Sequence, residues 1–148
     1  MKAYPHVYMA GAHGTPAGSV QVTSTDLPKL VSGPPPEFDG PGGVWSPETL
    51  LVASIADCFI LTFRGVSRAA HLEWDSLEAH VEGTLERIDG MTRFTRYLTR
   101  AVLTVNPTVD HSKAKELLER AEKVCLVANS LRGERMLEAT VNTVATTP

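Results

Sequence analysis

Cys58, Cys125 and Glu48 are the residues of this 148-residue chain whose types and spacing could carry chemistry. A thiolate is a nucleophile that attacks O–O and S–S bonds. Two thiols whose Cα atoms come within about 4.4–6.8 Å of each other can close into a disulfide. The chain has no CxxC or HxxxH spacing, and its histidines (His6, His13, His71, His80 and His111) are scattered, so a metal site is not expected. The two cysteines then either fill the core, as free cysteines commonly do, or act on each other in redox chemistry, and residue type alone leaves both readings open. Glu48 has two readings as well. It falls in the first turn of a helix, where a carboxylate suits the helix dipole, or it belongs to a reactive site. Ten residues of helix, roughly 15 Å of rise, separate it from Cys58. If functional, it serves the Cys58 of a second copy whose helix runs antiparallel. Asp57 points about 100° away from Cys58 and reads as a helix-edge ion pair with Arg64 or with a partner chain.

The elements that must position these groups can be read from hydrophobic period. Ser46 and Pro47 make the clearest helix start in the chain, a capping side chain followed by a proline at the first helical position. From Leu50 to Phe63 the residues that follow are apolar nearly all round. A helix of that kind is covered on every side. One sheet covers one side, and a second copy of the chain is the simplest cover for the other. From Leu77 to Leu85 and from Tyr97 to Val105 the period is two, and Asp89-Gly90 between them signals a hairpin. Ala114, Leu117, Leu118, Ala121, Val124 and Cys125 form an apolar stripe on a helix predicted over 112–126, capped by Asp110 or Ser112. Residues 136–144 read as a last strand. Upstream, residues 4–9 and 19–25 read as short strands, and the proline- and glycine-rich stretch 33–43 reads as a surface loop. Trp45 and Phe38 bracket that loop and either wall a pocket for an apolar substrate or anchor the loop to the surface. The order β-β-α-β-β-α-β defines an α+β class, expected as one domain over residues 1–148.

Composition excludes several roles. A net charge of −3 and a pI near 5.9 argue against nucleic acid as a partner. The run Leu50–Phe63 is short for a bilayer, which takes about 20 apolar residues. No signal peptide is visible at the start, and a cytoplasmic protein with no membrane partner is expected.

The stretch SPETLLVASIADCF (46–59) resembles the central-helix motif of the OsmC/Ohr family, in which a Pro-Glu start precedes a Leu/Ala-rich run and a cysteine ten residues after the glutamate. AEKVCLVANSLRGERMLEATV (121–141) resembles the same family's second-cysteine motif, and the separation of 67 positions between Cys58 and Cys125 is typical of it. The resemblance covers the chain from about residue 33 onward. It implies an OsmC-like fold, with antiparallel sheets wrapped around a long buried central helix in an intertwined homodimer. It also implies a thiol-dependent peroxidase that reduces organic hydroperoxides without a cofactor. Carried over, Cys58 is the peroxidatic cysteine, Cys125 the resolving one, and Glu48 the motif carboxylate. A lipoylated protein or a small dithiol is the implied reductant. Peroxidases of the family carry an N-terminal-region arginine that pairs with the motif glutamate. This chain has no arginine before Arg64, leaving Lys2, Lys29, His6 and His13 upstream, or Arg64, Arg93, Arg96 and Arg100 downstream, to supply a cation. The alternative reading follows from that departure: an OsmC-like redox-sensing or small-molecule-binding dimer without efficient peroxidase activity.

Overall fold

The computed structural model describes residues 1–145. The chain forms two compact units, Met1–Leu51 and Val52–Pro148.

The N-terminal unit holds a three-stranded antiparallel sheet of β1 (Gly11–His13), β2 (Val20–Thr23) and β3 (Leu30–Ser32), in that order. Gln21 pairs with both His13 and Val31. Residues 4–9, expected as a strand, join no sheet. Pro5 removes a backbone donor there, and the segment is exposed. β3 is absent from the sequence reading, because three residues are too few to show a period. The proline- and glycine-rich stretch is a loop as expected, with one 3-10 turn at Pro36–Phe38. The loop returns to the sheet where the Gly33 amide donates to the Trp45 carbonyl at 2.8 Å.

Helix α1 (Pro47–Ala69) starts where Ser46 and Pro47 predict. The Thr49 amide donates to Ser46 Oγ at 3.1 Å, and the Ser46 amide donates to Thr49 Oγ1 at 2.9 Å. This is a reciprocal cap with threonine where glutamate or glutamine is usual, and it satisfies two helix-end donors.

In the C-terminal unit, β4 (Ser76–Ile88) and β5 (Met91–Val105) form the expected hairpin. Its turn places Asp89 at φ 51° and Gly90 at φ 77°, the two positive values a type I′ turn requires. Helix α2 (His111–Val124) is capped by Asp110, whose Oδ1 accepts from the Ser112 amide at 2.8 Å. A single turn, α3 (Leu126–Asn129), follows, and then β6 (Glu134–Thr143). β6 pairs with β5 in parallel, so the larger sheet, β4-β5-β6, is mixed rather than wholly antiparallel. The crossover through α2 allows it, since parallel neighbours need a long connection. The core lies between this sheet and the helices: Phe59 and Phe63 of α1, Leu103 and Val105 of β5, and Leu117 and Leu118 of α2.

α1 is apolar over most of its length, and its own chain covers it only in part. At 23 residues, with a mean hydropathy of 1.7 over its most apolar stretch, it is long enough by itself to cross a membrane. Only 22% of that stretch is buried within the single chain, so the helix is not enclosed by its own fold. Its Phe59 and Phe63 belong to the core nonetheless.

Candidate functional site

Cys58 lies on the covered side of α1, between the buried Ile55 and Phe59. Its Sγ is 3.8 Å from Thr62 Oγ1, one helical turn on. Cys125 is fully buried, but not as the last residue of the apolar stripe. It stands beyond α2 in extended geometry, φ −63° and ψ 108°, and joins α2 to α3. The helix expected to reach 126 therefore stops one residue short of the cysteine, and the chain bends there to bring the sulfur inward. Cys125 lies near enough to Cys58 for Cys58 to raise its thiol pKa. The fold thus joins two groups 67 positions apart in the chain.

The electrostatics of Cys125 are mixed. Burial pushes its thiol pKa up, and the neighbouring Cys58 pushes it further. The amides of Ala128 and Val127, at the head of α3, pull the other way by favouring the thiolate. Burial dominates, and Cys125 is held as a thiol.

A residue absent from the sequence reading fixes this bend. Arg135, on β6, donates from Nε to Glu122 Oε1 at 2.7 Å and from Nη1 to Asn129 Oδ1 at 2.6 Å, and Nη2 reaches the Glu122 carbonyl. One guanidinium therefore binds the last turn of α2 and the last residue of α3, on either side of Cys125. The sequence does carry a signal. Arg135 shares the inward face of β6 with Leu137, Ala139 and Val141, and a charge in that position needs partners.

The remaining candidates fall elsewhere. Glu48 sits in the first turn of α1, within the N-terminal unit. Its Oε2 is buried without a hydrogen-bond partner among the described residues. It lines an apolar cavity of about 580 Å³ with Val20, Val22, Pro35, Phe38 and Leu50. Phe38 thus walls a pocket, as its place beside the loop suggested, and Trp45 is not among the lining residues. Asp57 is exposed and makes no ion pair among the described residues. Seven positions, about 10.5 Å of rise, put Arg64 out of its reach. Arg100 is engaged with Glu82 at 3.2 Å and Glu138 at 3.0 Å on the open face of the sheet, which removes it from the downstream candidates for an activating cation. No group of three or more His, Cys, Asp or Glu among the described residues could hold a metal.

The model of the OsmC-like protein family matches residues 40–139, a span that includes α1, both cysteines and most of β6. The chain belongs to the OsmC-like family. Its relatives include the uncharacterised protein YmaD of Bacillus subtilis, 27% identical over 133 residues, with 86% of this chain and 84% of that protein aligned. Among solved structures, this OsmC-like chain is similar to an OsmC-like protein of unknown function from Vibrio cholerae, with a TM-score of 0.81 at 17% identity over 91% of this chain and 99% of the other. It is also similar to an organic hydroperoxide resistance protein OsmC from Legionella pneumophila, with a TM-score of 0.74 at 26% identity over 95% and 99% of the two chains. The α+β fold implied by the sequence motifs is the fold of these OsmC-like structures.

Proposed function

We propose that this OsmC-like protein is a thiol-dependent peroxidase for organic hydroperoxides, acting as a cytoplasmic homodimer. The observation that carries the reading is that two buried free cysteines, Cys58 and Cys125, come near enough for Cys58 to raise the pKa of Cys125. In the proposed cycle the Cys58 thiolate attacks the distal peroxide oxygen. The O–O bond breaks, and the alkoxide takes a proton and leaves as an alcohol. Cys58 is thereby oxidised to a sulfenic acid. The Cys125 thiol then attacks that sulfur, and water departs as the disulfide forms. An external dithiol, lipoylated or small, reduces the disulfide by exchange and is itself oxidised to its own disulfide. Glu48 of the partner subunit is the carboxylate of the site in this scheme, because helix rise separates it from the Cys58 of its own chain.

The chain's lack of any arginine before Arg64 favours a second reading: the same cysteine pair used as a redox sensor with little turnover. One assay separates the two. Consumption of cumene hydroperoxide is followed with dihydrolipoamide or dithiothreitol as reductant, in wild type, Cys58→Ser and Cys125→Ser. Sustained turnover that is abolished in Cys58→Ser supports the peroxidase. Stoichiometric disulfide formation without turnover supports the sensor. Peroxide consumption at the buffer rate, together with two thiols that persist after peroxide treatment, defeats both.

A further inference from the structure

A second cleft, of about 730 Å³, opens in the C-terminal unit between the β4–β5 turn and the α3–β6 connection. Its walls are apolar on one side, with Ile88, Met91 and Phe94, and cationic at the rim, with Arg93 and Arg132. Phe94 and Tyr97 stack at 5.7 Å with a 25° tilt and form an aromatic wall. Gly133, at φ 131°, allows the Tyr97 ring to close in, since a Cβ at that position would stand 3.2 Å from Tyr97 Cε2.

Two guanidiniums line this cleft without partners among the described residues. Arg93 and Arg132 make no ion pair or hydrogen bond among the described residues, whereas Arg100 and Arg135 are both engaged. Glu86, which faces Arg93 across the ladder, accepts instead from Thr95 Oγ1. The Tyr97 hydroxyl also makes no hydrogen bond among the described residues, and its oxygen is open to solvent and to a ligand. Uncompensated guanidiniums beside an aromatic and aliphatic wall complement a ligand with one anionic end and one apolar body.

We infer that the cleft bounded by Arg93, Phe94, Tyr97, Arg132 and Gly133 binds an organic carboxylate with an alkyl or aryl body, its carboxylate held by the two arginines and the Tyr97 hydroxyl. The site uses neither cysteine and does not depend on the proposed peroxidase cycle.

Titration calorimetry with decanoate below its micelle concentration tests the site, with 1-decanol as the uncharged control, in wild type, Cys58→Ser, Arg93→Gln, Arg132→Gln and Tyr97→Phe. Both arginines are exposed, so their replacement leaves the fold intact. Saturable decanoate binding is expected, with decanol at least about tenfold weaker and each arginine variant weakened by about tenfold, in line with loss of one charge-assisted hydrogen bond. Cys58→Ser binds as wild type does. Amide shifts at Thr95 and Gly133 on titration place the ligand. No binding of decanoate, equal binding of decanol, or binding unchanged by both arginine substitutions would overturn the assignment.

Discussion

Burial keeps the proton on Cys125, and that has a consequence for stability as well as for chemistry. The ordinary thiol pKa is 9.0, and the folded value lies above it. Below the ordinary value both the folded and unfolded chains hold the proton. Above it the unfolded chain releases its proton while the folded chain retains it, so the unfolded state gains and stability falls as pH rises towards the folded pKa. Under reducing conditions the urea midpoint of the wild type is therefore expected to fall more steeply between about pH 8 and pH 10.5 than that of Cys125→Ala. Parallel curves for the two proteins would show that the buried thiol is not linked to folding. Arg135 makes a second residue-scale prediction. Its partners bracket Cys125, and its side chain is about one-quarter exposed. Arg135→Ala is expected to cost about 1.5–3 kcal/mol, the range for hydrogen bonds to a charged group. It should also raise the rate at which Cys125 is modified by a thiol reagent in a Cys58→Ser background. A loss of stability with an unchanged modification rate would limit Arg135 to a structural role.

At the scale of elements, the ends of helices and the connections between them carry most of the specificity. Asp110 caps α2 with one carboxylate oxygen shared between the Ser112 and Lys113 amides. Asp110→Ala is expected to lower stability by about 1 kcal/mol, the usual value of such a cap, as measured by chemical denaturation. The α3–β6 connection is more constrained. A Cβ on Gly133 would sit 3.0 Å from the Thr95 carbonyl oxygen, and its φ of 131° is one that side chains other than glycine rarely adopt. Gly133→Ala is expected to destabilise by about 1–3 kcal/mol. A thermal midpoint within error of wild type would show that the connection relaxes without cost. Both positions flank the segment that delivers Cys125, so the fold constrains this cysteine from either side of the bend.

At the scale of the molecule, α1 is the element without sufficient cover. Leu61 is 52% exposed, and less than a quarter of the helix's apolar stretch is buried within one chain. An apolar helix in that state associates with a second surface, and a second copy is the partner proposed here. Leu61→Asp is expected to shift the protein from dimer to monomer in sedimentation velocity at micromolar concentration, and to lower peroxidase turnover with it. A wild type that sediments as a monomer would end the proposal of a shared site.

Much of this organisation is local and therefore legible in the chain. The cap at Ser46, the proline after it, the Asp89-Gly90 turn and the two long alternating strands each depend on interactions within a few residues, and each lies where its residue pattern puts it. The short strand β3 and the parallel pairing of β6 were not legible, because strand partners are chosen by contacts far apart in sequence. The site divides in the same way. Cys58 and Cys125 stand out by type and spacing, but the bend that takes Cys125 off its helix, the guanidinium of Arg135 that holds the bend, and the approach of Cys58 to Cys125 all depend on packing across α1, α2 and β6. Local propensity decides which elements form. Only burial and long-range polar pairing decide which side chains meet.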